Sequence, residues 1–300
     1  MKTKTYLFAL MAMAFTLGSC SDNENGIGSE TSKYITVSTS IGNMTRVATD
    51  ANGGQTFEEG DEISVYAWTG APTVAPETSE RVVNNAINKL TNGSWVSTPQ
   101  MLWKNNRDKH YFIGVYPTAA ISDLSAGEYT FDANKQTESD LLVAVNPDGL
   151  SYSADAQQTV PLTFTHVMAK LAVNLTYKNQ WGGIPTVEKV VVGNAAKEAT
   201  INYLTKVVTP STTAKEDFSL PEITENTKYV SVIIPQEEVK QLTIVIGGKN
   251  FVYDNGTPFK LESGKITTVN LEVGRDEIKL GDVKITDWED GSTFSGEAIN

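Results

Sequence analysis

The stretch KLAVNLTY, Lys170–Tyr177, sets the period by which the rest of this chain can be read. Leu171, Val173, Leu175 and Tyr177 fall on one side, with Asn174 and Thr176 on the other. An alternation of two is the repeat of a half-buried β-strand and does not suit a helix. Working outward, YVSVIIP (Tyr229–Pro235), LTIVIGG (Leu242–Gly248), NFVYDNG (Asn250–Gly256) and TTVNLEV (Thr267–Val273) repeat the pattern, punctuated by Gly, Pro or Asn-Gly. Upstream, DEISVYAW (Asp61–Trp68) sets Ile63, Val65 and Ala67 against Tyr66 and Trp68. HYFIGVYP (His110–Pro117) and DLLVAVNP (Asp140–Pro147) are expected to stop at their prolines, which cannot donate to a ladder. A helical turn or two is expected only over Arg81–Leu90. Short alternating strands between turns predict an all-β chain of sandwich type. At 300 residues it exceeds what one sandwich needs. We therefore expect two β-sandwich domains in series, residues 33–160 and 161–300, joined near QQTVPLTFTHVMAKL (Gln157–Leu171).

The chain opens with MKTKTYLFALMAMAFTLGSC, in which Lys2 and Lys4 precede an apolar run from Tyr6 to Leu17. That run is too short to span about 30 Å of hydrocarbon as a helix, and it fits a signal-peptide core. It ends at Leu17-Gly18-Ser19-Cys20, which resembles the bacterial lipoprotein signal, in which the cysteine is acylated and becomes the new N-terminus. Residues 1–20 are read as that signal, and SDNENGIGSETS (Ser21–Ser32) as a flexible tether. Ser21 rather than Asp follows the cysteine, so the usual inner-membrane retention signal is missing and an outer-membrane lipid anchor is expected. Asp22 and Glu24 resemble surface-export signals of Bacteroidetes lipoproteins, which points to the outer face. Cys20 is the only cysteine, so no internal disulfide can form and stability rests on packing. A formal charge of −12 disfavours nucleic acid and anionic headgroups as partners.

Catalytic signatures are missing. His110, in the charged stretch NNRDKH, reads as a solvated loop residue, and His166 as a satisfied structural one. Neither has a carboxylate or cysteine at metal-ligand spacing. DANGG (Asp50–Gly54) and DWEDG (Asp287–Gly291) lack the full calcium-ligand series and read as turns. No G-x-S-x-G, P-loop or G-x-G-x-x-G occurs, so neither enzyme nor cofactor is expected. Trp68, Trp95, Trp103, Trp181 and Trp288 are candidates for stacking on sugars, against the commoner fate of packing in a sandwich.

YITVSTSIGNMTRVATD (Tyr34–Asp50) carries the functional question. Ile35, Val37 and Ile41 mark one strand face and Thr36, Ser38 and Ser40 the other, and the strand runs into Arg46 in polar surroundings. The signal at Cys20, the strand ending NMTR, then FEEGDEISVYAW, LTFTHVMAKLAVNL and the terminal ITDWEDGSTFSGEA together resemble the fimbrillin-like (Mfa-like) family of Bacteroidetes surface proteins. The resemblance runs from the signal to Asn300. It implies two transthyretin-like sandwiches, export as a lipoprotein, and cutting after the first strand by an arginine-specific protease. Arg46 matches that cut, with Val47 as the new N-terminus; the competing reading is a Thr-Arg-Val turn. The freed groove would accept a strand from another subunit. The resemblance points to the C-terminal segment 276–300 as donor, through Ile278, Leu280, Val283 and Ile285. Their phase slips at Gly281-Asp282, which implies a bulge or a break. An ordinary last strand is the other reading.

These residues carry a non-enzymatic fimbrial subunit or fimbria-associated adhesin, with other pilin subunits, the protease and a host or glycan ligand as partners. The alternative is a monomeric glycan-binding surface lipoprotein, and a third is a hydrolase with an unrecognised site.

Overall fold

The computed structural model describes residues 33–42, 56–153 and 158–288. Among them the chain is all-β, with two short 3-10 turns at Thr78–Glu80 and Asn179–Trp181. In chain order the strands are β1 (Thr36–Ile41), β2 (Glu62–Thr69), β3 (Val83–Thr91), β4 (Ser94–Thr98), β5 (Lys109–Tyr116), β6 (Gly127–Thr130), β7 (Leu142–Ser151), β8 (Thr159–His166), β9 (Ala169–Tyr177) and β10 (Val187–Ala196). They continue as β11 (Glu198–Asn202), β12 (Val207–Pro210), β13 (Lys215–Ser219), β14 (Glu222–Thr224), β15 (Lys228–Ile233), β16 (Gln236–Ile246), β17 (Lys249–Leu261), β18 (Lys265–Val273) and β19 (Ile278–Asp287). No helix among the described residues is long and apolar enough to cross a membrane.

The period of two sorts side chains into two cores. On β2, Ile63, Val65 and Ala67 face a smaller core that also takes in Phe112, Leu142, Val160, Leu162 and Phe164. Tyr66 and Trp68 of the same strand face a larger core continuous with the second half of the chain. The seven-stranded sheet, in the order β1-β8-β7-β5-β2-β3-β4, therefore has apolar side chains on both faces. The second half builds the sheets β13-β10-β16-β17 and β14-β15-β9-β18-β19. A small sheet, β12-β11-β6, pairs a strand of the first half with two of the second. β8 belongs to the first sheet through His166, so the strand runs across residue 160, where the sequence suggested a division. The chain changes sheets at the buried pair Val167–Met168.

Three local readings need correction. The stretch Arg81–Leu90 is not helical; it forms most of β3. Val65 pairs with Ala86 and Ala67 with Val83, so β3 carries one extra residue, with Asn85 in the left-handed region at φ 56°. That bulge turns strict alternation into the three-residue spacing of Val83 and Ala86, which imitates a helix. β7 does not stop at Pro147; it resumes to Ser151, because residues 147–149 bulge out between the Asn146 and Leu150 pairings. A proline costs no ladder bond there. His110 is not a solvated loop residue: it lies in β5 with 0% exposure.

Candidate functional site: a groove closed by the first strand

The groove is built around β1. This strand pairs in parallel with β8, residue by residue from Thr36↔Thr159 to Ile41↔Phe164, and the amide of Gly42 donates to the Phe164 carbonyl at 2.8 Å. On its other flank there is no continuous ladder. Ile35 N–H donates to the Met101 carbonyl (3.0 Å), Trp103 N–H to the Lys33 carbonyl (3.2 Å), and Trp95 Nε1 of β4 to Thr39 Oγ1 (3.0 Å). β1 is thus an edge strand held mainly from one side.

Its alternation follows the sequence. Ile35, Val37 and Ile41 are 2%, 6% and 8% exposed and pack into the smaller core. Thr36 and Ser40 face outward and meet β8 hydroxyl to hydroxyl, at 3.2 Å from Thr159 Oγ1 and 3.2 Å from Thr163 Oγ1. No charged side chain lies on the β1–β8 seam, whose outward partners are Thr159, Pro161 and Thr163. Backbone pairing and apolar burial hold the strand, and neither discriminates strongly between sequences of the same pattern.

Cys20, Arg46 and Val47 lie outside the described residues, as do the acidic tether and residues 289–300. The ends of the segment carrying Arg46 converge on one residue. Before it, Gly42 N–H bonds the Phe164 carbonyl; after it, the Phe57 ring meets the Phe164 ring edge-on at 5.1 Å. Phe57 also meets Trp95 and Tyr116 edge-on, at 5.3 and 5.4 Å. The sequence reading missed this anchor. Its signal was a lone aromatic between a polar stretch and a strand. Phe164 in turn needs Gly114 of β5 beneath it, where a Cβ would come to 2.6 Å from the ring. His110 props the far flank. Its Nε2 accepts from the Lys104 amide at 3.1 Å, its Nδ1 lies 3.1 Å from the Asp108 carbonyl, and Trp103 stacks edge-on against it. Burial pushes its pKa below the ordinary histidine value.

The candidate donor residues lie on β19, the outer strand of its sheet, antiparallel to β18. The phase slip is a bulge: Leu271 pairs with Leu280 and Asn270 with Asp282, leaving Gly281 over. Ile278 and Leu280 rest against the larger core, whereas Val283 and Ile285 are 37% and 40% exposed. None of the tryptophans is an open platform. Trp68 and Trp288 are buried, and Trp95, Trp103 and Trp181 are partly buried, Trp181 with Nε1 on the Val273 carbonyl at 3.0 Å. Among the described residues no cluster of His, Cys, Asp and Glu could hold a metal ion.

An all-β chain whose own edge strand covers an apolar groove has the build of a structural protein. The chain belongs to the fimbrillin-like family, whose model matches residues 45–288 and so begins after β1. Solved structures with this fold include a candidate cell adhesion protein from Bacteroides ovatus (TM-score 0.62, 18% identity, covering 86% of this chain and 98% of that one). Another, from Bacteroides uniformis, gives a TM-score of 0.61 at 18% identity, over 81% of this chain and 100% of the other. The C-terminally truncated tip fimbrial protein Mfa3 from Porphyromonas gingivalis gives 0.50 at 12% identity, over 77% and 95%. At these identities the likeness is one of fold. A search of curated protein sequences gives no match. The family is one of fimbrial structural proteins and not of enzymes, and membership makes this chain a fimbrial protein.

Proposed function

We propose that the subunit is exported as a lipoprotein acylated on Cys20, reaches the outer membrane, and is armed for assembly by an arginine-specific protease cutting between Arg46 and Val47. The cut breaks the covalent link between β1 and the domain whose groove it covers, so that a strand from a neighbouring subunit can displace it. The candidate donor is the C-terminal segment 276–300, with Ile278, Leu280, Val283 and Ile285 as its apolar residues. In this reading the chain is a signal and tether followed by two sandwich units in series.

The observation that carries the reading is the position of β1: at a sheet edge, with its apolar side chains in the core and the Arg46 segment immediately behind it. While the peptide link is intact, the strand sits beside its groove at an effective concentration on the order of mM. Each buried Ile or Val contributes about 1.5–3 kcal/mol and each ladder bond about 0.5–1.5 kcal/mol. Cutting leaves these contacts in place and removes the tether advantage, so a donor of equal fit competes. Lipid anchor and polymer subunit are then successive states of one chain, because the cut discards Cys20 together with β1.

The test is limited trypsin treatment followed by N-terminal sequencing and unheated SDS gels. The reading expects a new N-terminus at Val47 and SDS-resistant ladders at high concentration, both lost in Arg46→Ala with the thermal melt unchanged. Cleaved protein that stays monomeric would overturn donor-strand assembly.

A further inference from the structure

β19 is pinned at its far end by a residue that lies outside the groove. From Gly281 to Asp287 every residue of this strand is exposed, yet the next one, Trp288, is only 9% exposed. Its ring stacks on His166 with centroids 3.9 Å apart and planes 7° from parallel. Lys170 Nζ stands 4.0 Å from the centroid of the same ring. His166 is fixed in turn by Asp140, whose Oδ1 lies 2.9 Å from Nδ1. The Trp288 amide donates to the Gly264 carbonyl at 3.1 Å. The ring stack reaches β8 itself, and the backbone bond reaches the crossover behind it. His166 is its last residue, two beyond Phe164, which pairs with Ile41 of β1. The crossover that follows β8 is bonded to the turn that receives Trp288: Ser263 Oγ donates to the Val167 carbonyl (2.8 Å) and Gly264 N–H to the Met168 carbonyl (2.9 Å).

We propose that Trp288 is the lock holding the last strand on its own sheet, and that β8 joins this lock to the groove. A subunit that has lost β1 gives up the outer half of β19 more readily than one that keeps it. β8 loses a neighbour when β1 leaves, and its end carries the ring on which Trp288 stacks. Exposed edge strands open locally at low free energy, and their last buried anchor governs how often. The purpose of the lock rests on β19 being the donor, and its existence does not. If both hold, one cut would prepare both ends of the subunit, and uncut chains would neither accept nor give.

Hydrogen exchange of the full chain tests this, with the β16–β17 amides as internal reference. Trp288→Ala is expected to speed exchange at residues 282–287 roughly tenfold or more over the reference. Ile41→Ala, which loosens β1 in the uncut chain, is expected to speed the same amides, and to add nothing further in the Trp288→Ala background. Trp288→Phe keeps a ring on His166 and gives a smaller effect, which covers the case of an alanine variant that does not fold. Unchanged exchange at 282–287 in Trp288→Ala, or in Trp288→Phe if only that variant folds, overturns the lock. An Ile41→Ala effect confined to β1 overturns the link through β8. Fast β19 exchange in cleaved subunits that form no ladders would support the lock and remove the donor assignment instead.

Discussion

At the scale of single residues the groove depends on a few side chains whose contributions can be separated. Ile35 is nearly fully buried at the start of the edge strand, so Ile35→Ala should lower stability by about 2–5 kcal/mol in the uncut chain, measured by urea unfolding. After cutting at Arg46 the same substitution should speed replacement of the strand, since its contacts are then all that hold it. His110 gives a pH dependence whose sign follows from its bonds. The folded state uses the neutral ring: Nδ1–H donates to the Asp108 carbonyl while Nε2 accepts from the Lys104 amide. A second proton would put two donors face to face at Nε2. Burial also holds the folded pKa below the usual value, so on acidification the unfolded chain takes up the proton first. Stability should be level above the ordinary histidine range and fall as pH drops from about 6.5 toward the lower folded value. The portion due to His110 should vanish in His110→Gln, compared by urea melts at both ends of that window.

At the scale of elements, the seam between β1 and β8 can be locked without touching its apolar face. Ser40 and Thr163 are paired across the seam with their hydroxyls 3.2 Å apart, close enough for a disulfide after small adjustments. Ser40→Cys with Thr163→Cys, in a chain whose Cys20 is replaced by Ser, should give a protein still cut at Arg46 that forms no ladders until reductant is added. Ladders forming under oxidising conditions would mean that donor strands enter somewhere other than beside β8. Elements such as β1 and β9 were legible in the sequence because each presents one face to a core and alternates cleanly. β3 was not, since the extra residue near Asn85 breaks the period that reveals a strand. The far end of β7 was hidden for a related reason: Pro147 marks a bulge there and not an end. Why His110 is buried was also unreadable, because its partners are backbone groups of Lys104 and Asp108, which no side-chain pattern announces. At the groove, the apolar set of β1 could be read in advance, whereas Phe57, Gly114 and Trp288 became meaningful only once Phe164 and His166 were in place beside them.

At the scale of the whole molecule, the two cores and the net charge set how subunits meet. β1 contributes only to the smaller core, so its departure would take no side chain out of the larger one, which runs through both halves. The cut form should therefore remain folded long enough to find a donor. Removing residues 1–46 takes away four basic and three acidic groups, which makes a formal charge of −12 one unit more negative. Cut subunits consequently repel one another over about 10 Å at 0.1 M salt and over longer distances at lower salt. The seam that strand exchange would form carries no charged side chains on its β8 side. Encounter and bonding therefore respond differently to ionic strength. Raising salt from about 0.01 to 0.3 M should speed ladder growth by screening the repulsion, as followed by light scattering of protein cut at time zero. Ladders already formed should show the same resistance to SDS and heat at either salt, because apolar burial and backbone pairing hold them. If growth instead slowed with salt, complementary charge would have to guide the subunits together, and a strand exchange driven by apolar fit alone would not describe this assembly.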